Sequence, residues 1–329
     1  MTGPRPSRRA CRSRKAEPTP LRLLDRAPPP RKHSPVVASS TLLARELERL
    51  ERSAWRERVG VEAISARDGG AEVLLPCHEG NANSGGNLHG GATATAVLAA
   101  ARLAAASTER QADSTIRTLS LAIAYLEAVR GGEVRAEARV VRRGRDTAHV
   151  IASVRGGSET VATAQVALGI EPRGGGGGRA GFAARPSAGA LETARKGGAR
   201  LAISPFLAGA GLEILSVEPP WVCGRMPLEG NQDAAGRMGE GMLAALVDFC
   251  GALASYAGGG IHRRRPGATV CLQVAFSREA TDDVVGAGRL VGREGVAFTS
   301  AVELWEARSC SLCGAGQVSY RIPTAGAPL

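Results

Sequence analysis

Residues 83–98, NSGGNLHGGATATAVL, combine a glycine-rich turn with the start of an alanine-rich helix. A helix start exposes backbone N–H groups that have no partner inside the helix, and the aligned peptide dipoles make that end electropositive. Such an end can bind an anion or stabilise negative charge that develops on a carbonyl oxygen. The glycines would let a ligand approach the backbone closely. The stretch therefore predicts an oxyanion-binding cradle, and a flexible loop that simply leads into a helix is the alternative.

Asp248 is the second group that could do chemistry, because it is the only charged residue in an apolar helix predicted over residues 242–256. A carboxylate in such a helix is unfavourable unless it is paired, hydrogen-bonded or used. Burial would raise its pKa and suit it to act as a base or nucleophile near neutral pH. An Asp on a partly solvated face, or one satisfied by a neighbouring N–H, would have no such role.

The elements that must position these groups occur twice in the same order. An amphipathic helix over residues 40–56, capped by Ser39 or Ser40, comes before the first set. Each set then has two short strands, a glycine-bearing loop, one long helix and four strands. The predicted strands of the first half are 60–75 with a turn at Asp68, then 118–126, 133–142, 147–154 and 160–168. Those of the second half are 211–217, 221–227, 269–276, 284–291, 297–304 and 314–322.

The residue types support this internal repeat. DAAGRMGEGMLAALVD, residues 233–248, aligns with residues 83–98 at an offset of 150. ATVCLQVAF, residues 268–276, aligns with RTLSLAIAY, residues 117–125, at an offset of 151. One long helix wrapped by a curved antiparallel sheet, repeated once, predicts an α+β architecture with two similar halves.

Each half lacks the functional residue that the other half carries. The first half has Leu98 where the second has Asp248, and the second has Gly239 where the first has His89. If the halves pair face to face, one composite site is complete and the opposite one is inactive. The complete site would contain Asn83, His89, Gly90 and Asp248. The opposite site would set Leu98 against Asp233 and Gly239.

The composition limits the classes of partner. Of the net charge of +11, residues 1–35 supply +8, from ten Lys or Arg and two acids. The remainder therefore lacks the strongly basic surface that nucleic acid requires. No apolar run of about 20 residues is evident that would span a membrane. The tail lacks an apolar signal region, so an intracellular location is expected, with a mitochondrial or plastid transit segment as one reading of the basic N-terminus.

Cysteine and histidine usage points away from metal or disulfide chemistry. Seven cysteines, an odd number, fit reduced thiols, and Cys310 with Cys313 are read as two thiols on one strand segment. His78, His149 and His262 are scattered singly without ligand spacing. We expect no metal and no cofactor. The expected organisation is a basic tail over 1–37, a domain over 38–172, a glycine-rich linker over 173–200, a domain over 201–323 and a short tail over 324–329.

The first-half motif N-x-x-G-x-L-H-G-G, together with the Asp that the second-half helix carries seven residues after Gly241, resembles the hotdog-fold thioesterases. The departure from their pattern is the loss of this Asp from the first half and of H-G-G from the second. Within them it is most similar to the branch with the phenylacetate-pathway thioesterase and thioesterase superfamily member 2. The resemblance covers residues 55–170 well and 205–322 more weakly. It implies two tandem hotdog domains that form a pseudo-dimer within one chain.

The resemblance also implies roles for individual residues. The Gly90 N–H would polarise a thioester carbonyl, and Asn83 would help to position that carbonyl or the attacking water. His89 would mainly shape the turn. Asp248 would act as general base or nucleophile, with the Thr269 hydroxyl near the water. For substrate binding, the resemblance points to Gly91, to Arg145 in the turn that can face the CoA moiety, and to Thr118, the first-half counterpart of Thr269.

These roles together predict an acyl-CoA thioesterase that acts on a fatty or aryl acyl-CoA at one composite site. A catalytically inactive double hotdog that binds acyl-CoA or a partner protein is the main alternative. A hotdog hydratase or dehydratase is a third reading, in which His89 would have to serve as an acid or base. The resemblance leaves open a homodimer of such double hotdogs.

Overall fold

The computed structural model describes residues 38, 40–108, 113–172, 185–196, 203–260 and 266–323. The expectations for the tails 1–37 and 324–329, for the five consecutive glycines and for His262 lie outside these residues. The first half comprises α1 (Thr41–Glu51), α2 (Arg56–Val59), β1 (Glu62–Arg67), β2 (Gly70–Pro76), α3 (Gly90–Ala106), β3 (Ser114–Tyr125), β4 (Glu133–Arg143), β5 (Thr147–Gly156) and β6 (Glu159–Pro172). The second half comprises α4 (Ala188–Lys196), α5 (Pro205–Gly209), β7 (Glu213–Glu218), β8 (Trp221–Met226), α6 (Glu240–Gly258), β9 (Ala268–Phe276), β10 (Val284–Glu294), β11 (Ala297–Glu306) and β12 (Leu312–Arg321).

The predicted α+β class and the repeated order of elements are confirmed. In each half, six antiparallel strands wrap one long helix, α3 or α6. The two sheets join into one sheet of twelve strands in the order β1-β2-β4-β5-β6-β3-β9-β12-β11-β10-β8-β7. The junction is the antiparallel pair β3 and β9, in which Ser120 lies opposite Ala275 and Ala124 lies opposite Cys271.

The two long helices cross at a point where only very small residues fit. A Cβ added to Gly241 of α6 would lie 2.1 Å from Thr95 Oγ1 of α3. A Cβ added to Gly91 of α3 would lie 2.4 Å from the Ala245 Cβ of α6. Side chains larger than these would push the helices apart, because protein interiors are close-packed. The richness of both helices in Ala and Gly thus allows the halves to pack backbone against backbone.

The N-terminal helix begins where it was predicted but ends at Glu51 and not at residue 56, and the first turn agrees with the sequence analysis. The Ser40 hydroxyl caps α1 by accepting the Leu43 N–H at 3.1 Å, which satisfies one of the free donors of the first turn. Leu42, Leu43 and Leu50 are buried. The β1–β2 turn contains Asp68 with a positive φ of 50°.

The expected linker contains a packed helix. In α4, Ala190 and Leu191 pack on a separate apolar cluster with Cys223 and Trp305, and the Cys223 thiol lies 3.7 Å from the Ala190 carbonyl oxygen. The glycine-rich composition predicts a flexible linker over residues 173–200. Helix α4, within this range, is instead packed on the sheet through its apolar face.

Helix α6 departs from the expectation that no segment could cross a membrane. By length and composition alone, its 19 residues could cross a membrane. However, 83% of its most apolar stretch is buried inside the fold. Its hydropathy therefore reflects its place at the centre of the second half.

Candidate active site

His89 forms the N-cap of α3 and shapes the glycine-rich turn. Its Nδ1 accepts the Gly91 N–H at 2.9 Å, and its ring stacks on Phe206 of the second half at 4.6 Å. Burial lowers the pKa of His89 to about 4. The imidazole is therefore neutral at physiological pH, as its role as an acceptor at a helix start requires.

Gly90, the first residue of α3, offers a backbone donor that the fold does not use. Within the described ranges, its N–H has no hydrogen-bond acceptor. A Cβ added to Gly90 would lie 3.1 Å from Asp248 Oδ2 and 3.2 Å from the Tyr125 hydroxyl oxygen. Glycine at this position thus keeps open the space between the helix start and a carboxylate from the other half.

Asp248 lies on α6, is 7% exposed and faces this helix start. Its Oδ1 accepts a hydrogen bond from Thr269 Oγ1 at 2.5 Å. Burial raises the pKa of Asp248 to about 6, and the Thr269 bond acts in the opposite direction. A carboxyl group with this pKa is ionised at neutral pH and still basic enough to accept a proton.

Tyr125, at the end of β3, completes this group although the sequence analysis did not single it out. Its hydroxyl donates to the Gly90 carbonyl oxygen at 2.9 Å. Burial, Asp248 and Cys271 together raise the pKa of Tyr125, so the phenol stays protonated. A signal was present in the repeat, because Tyr125 aligns with Phe276 and differs from it by this hydroxyl.

The structure places the Asn83 side-chain oxygen in the turn. Its Oδ1 accepts the N–H groups of Gly85 at 2.8 Å and Asn87 at 3.1 Å. Asp233 closes the equivalent loop of the second half through the N–H groups of Ala235 and Arg237. The predicted contact between Asn83 and a carbonyl or water stays a prediction.

Gly91, Thr118 and Arg145 are not grouped with Asp248. The Gly91 N–H is engaged by His89. Thr118 lies on the opposite side of the pseudo-dimer, where its Oγ1 is 3.5 Å from Arg102 Nη1. The Arg145 side chain is 96% exposed and lies 3.8 Å from Asp146. The turn that contains Arg145 lies next to the part of β3 that contains Thr118. The Asp146 carbonyl oxygen of this turn accepts the N–H of Ile170 on β6, and Ile170 lies opposite Ile116 on β3.

The opposite side of the pseudo-dimer is filled by a buried network of charges. Arg102 on α3 binds both carboxylate oxygens of Glu46, at 2.8 and 2.9 Å, and lies 3.2 Å from Glu240. Arg49 binds Asp233 at 2.9 Å. The arginines Arg102 and Arg49 outweigh the effect of burial and lower the pKa of Glu240. Asp233, whose pKa the arginines Arg49 and Arg237 likewise lower against the effect of burial, and Glu240 are therefore ionised and matched by guanidinium groups.

This opposite side differs from the side that holds Asp248 at the equivalent positions. Glu240 stands where the other helix has Gly90, and the Trp55 indole nitrogen would lie 2.7 Å from a Cβ on Gly239. Leu98 and Gly239 line one small cavity of about 30 Å³, as expected, but Asp233 is bound to Arg49. Such a cavity holds no more than one or two waters. Within the described ranges, no group of three His, Cys, Asp or Glu residues is placed to hold a metal ion.

Comparison with known proteins agrees with this geometry. Residues 78–169 match the family of the acyl-CoA thioesterase N-terminal domain. A conserved protein with a hot dog fold from Alicyclobacillus acidocaldarius is 19% identical, with a TM-score of 0.59 over 84% of this chain and 99% of that chain. A candidate thioesterase II from Thermobifida fusca is 17% identical, with a TM-score of 0.57 over 83% of this chain and 98% of that chain. A tesB protein from Mycobacterium avium subs paratuberculosis is 12% identical, with a TM-score of 0.58 over 83% of this chain and 100% of that chain. No curated protein gives a match.

The fold is that of a tandem double hotdog, and residues 78–169 of its first half match the acyl-CoA thioesterase N-terminal domain. The likeness to the three solved structures is one of fold.

Proposed function

We propose that the protein hydrolyses a fatty or aryl acyl-CoA to the free acid and CoA at one composite site between its halves. The observation that carries the proposal is the position of Gly90, whose N–H has no acceptor among the described residues and whose added Cβ would lie 3.1 Å from Asp248 Oδ2. The donor comes from the first half and the carboxylate from the second. Neither half could form the site alone.

The chemistry assigned to this site follows from the two groups. The Gly90 N–H, at the positive end of α3, would donate to the thioester carbonyl oxygen and stabilise its developing charge. Asp248 would accept a proton from the attacking water or attack the carbonyl carbon itself. The Thr269 hydroxyl holds Oδ1, so Oδ2 is the oxygen directed at the reactants. When water attacks, the new C–O bond forms, the C–S bond breaks, and the CoA thiolate leaves and takes up the proton that Asp248 accepted from the water. When Asp248 attacks, the thiolate leaves with a proton from solvent, and a water molecule then cleaves the acyl–Asp248 anhydride to release the free acid and restore the carboxylate.

The opposite side is proposed to be inactive. Leu98 supplies no base there, and the Glu240 side chain with Arg102 occupies the space around the α6 start. His89 also suits a thioesterase better than a hydratase. Its basic nitrogen, Nδ1, is occupied by the Gly91 N–H, and a neutral imidazole is too weakly acidic to serve as a general acid.

The test is release of free thiol from short-, medium- and long-chain and aryl acyl-CoAs by the full chain and by its Asp248→Ala variant. We expect turnover of at least one class by the parent, and its loss in a folded variant. Turnover that survives in Asp248→Ala would contradict the assignment of the site. Tight binding of acyl-CoA without turnover by the parent would favour the inactive binding module instead.

A further inference from the structure

The first peptide groups of α3 are restrained by side chains at both ends. The N–H of the Gly90–Gly91 peptide donates to His89 Nδ1 at 2.9 Å, and its carbonyl accepts the Tyr125 hydroxyl at 2.9 Å. Two successive glycines have few intrinsic conformational preferences. Without these two bonds, the helix start that carries the proposed donor would be poorly defined.

The equivalent start of α6 has neither restraint. Its N-cap is Gly239, which has no side-chain bond to the helix, and Phe276 stands at the position of Tyr125. Phe276 is buried and offers no hydroxyl. The two restraints therefore occur together at the helix start that faces Asp248, and both are missing at the one that faces Leu98.

We propose that Tyr125 is a positioning residue whose hydroxyl fixes the Gly90–Gly91 peptide, so that the Gly90 N–H keeps its aim at the reacting carbonyl. This inference rests on the proposed thioesterase function. The Tyr125 hydroxyl is suited to this positioning role because of where it lies. A Cβ added to Gly90 would be 3.2 Å from the Tyr125 hydroxyl oxygen and 3.1 Å from Asp248 Oδ2. The hydroxyl, the carboxylate and the helix start thus meet at one place. Its raised pKa keeps the hydroxyl a donor throughout the working pH range.

The test is Tyr125→Phe, which removes one hydroxyl and installs the residue of the inactive side. We expect kcat to fall about 10- to 100-fold, as a small misplacement of a catalytic group does, with KM changed by less than about threefold. The acid limb of the pH profile should stay near 6, because Asp248 is retained. Tyr256→Phe is the matched control, since Tyr256 is eight residues from Asp248 on α6, about 12 Å along the helix. A Tyr125→Phe enzyme with kcat within twofold of the parent would overturn the inference.

A second readout separates this inference from the proposed function. Amide hydrogen exchange over residues 83–98 should be several-fold faster in Tyr125→Phe than in the parent, and unchanged in Tyr256→Phe. This measurement needs no turnover, so it decides the positioning role even if the parent hydrolyses no acyl-CoA. Unchanged exchange in Tyr125→Phe would overturn the inference while leaving the proposed function intact.

Discussion

The burial of Asp248 reduces the stability of the fold and at the same time gives the residue its reactivity. Its pKa rises from 3.8 to about 6 because the ionised form loses water. The folded state therefore binds the proton more tightly than the unfolded state does. Well below pH 4 both states are protonated and there is no penalty. As pH rises from about 4 to above 6, ionisation of the folded state costs up to about 3 kcal/mol, at about 1.4 kcal/mol per pKa unit.

Asp248→Asn should therefore lower activity and change the pH dependence of stability. We expect kcat/KM of the parent to rise with pH through about 6, and the variant to be about 10²- to 10⁴-fold less active. The stability of the variant relative to the parent should increase between pH 4 and pH 7, by up to about 3 kcal/mol. Initial rates and urea unfolding from pH 4 to pH 8 measure both effects. Asp146→Asn, on a side chain 77% exposed, is the control, and an acid limb that persists in Asp248→Asn would contradict the assignment.

Gly90→Ala tests the space at the helix start. The new methyl group would lie 3.1 Å from Asp248 Oδ2, inside the room that a thioester carbonyl would need. We expect turnover to fall by at least about tenfold, since catalytic geometry tolerates little displacement. Gly292→Ala, whose Cβ would meet nothing within 4 Å, is the matched control. Equal turnover in the two variants would show that Gly90 does not face the substrate.

Sequence reasoning singled out Asp248 because it is a charge in an apolar helix, and Gly90 because it lies in a motif that resembles the hotdog-fold thioesterases. Arg102 is likewise the only charged residue in α3. Its partners Glu46 and Glu240 lie 56 and 138 residues away, so its role could not be inferred without the fold. Tyr125 breaks no rule in a strand, and only the packing shows where its hydroxyl points.

At the scale of elements, Arg102 joins α3 to α1 and to the start of α6. Arg102→Met would leave Glu46 and Glu240 buried with fewer cationic partners. Breaking a buried ion pair from one side costs roughly 3–5 kcal/mol. We expect a loss of unfolding free energy of that order in urea, with kcat/KM of the folded protein changed by less than about threefold.

Arg52→Met is the control for this variant. Arg52 pairs with Glu48 at 2.8 Å on the surface, with the two side chains 69% and 59% exposed. Exposed pairs contribute about 1 kcal/mol or less. An Arg102→Met protein no less stable than Arg52→Met would mean that the network does not hold the halves together.

The elements that were predicted share a strong local pattern, and those that were missed lack one. Helices α3 and α6 are long, and the alternating strands follow turn signals such as Asp68. Helix α4 was missed because its folding depends on Trp221 and Trp305, which are distant in sequence. The pairing of β3 with β9 was likewise not readable, since it joins strands about 150 residues apart.

At the scale of the whole molecule, the two halves share one sheet and one core. The largest core cluster includes Leu98 and Leu121 of the first half together with Leu246 and Leu272 of the second. Neither half can lose its structure without exposing the apolar face of the other. We therefore expect one cooperative unfolding transition, although chains of this length often unfold in stages.

Gly241→Ala tests this coupling at the helix crossing. Its Cβ would lie 2.1 Å from Thr95 Oγ1, so the helices must separate, and overpacking of this kind costs about 1–3 kcal/mol. Trp55, on the first half where it meets Gly239, and Trp305, within the second half, are the two reporters, in variants that keep one tryptophan each. Because the crossing belongs to both halves, the substitution should lower the urea midpoint equally at both reporters, whereas Gly292→Ala should move neither. A midpoint that shifts at Trp305 and not at Trp55 would show that the halves unfold independently, and the composite site would then depend on an interface that opens before either half unfolds.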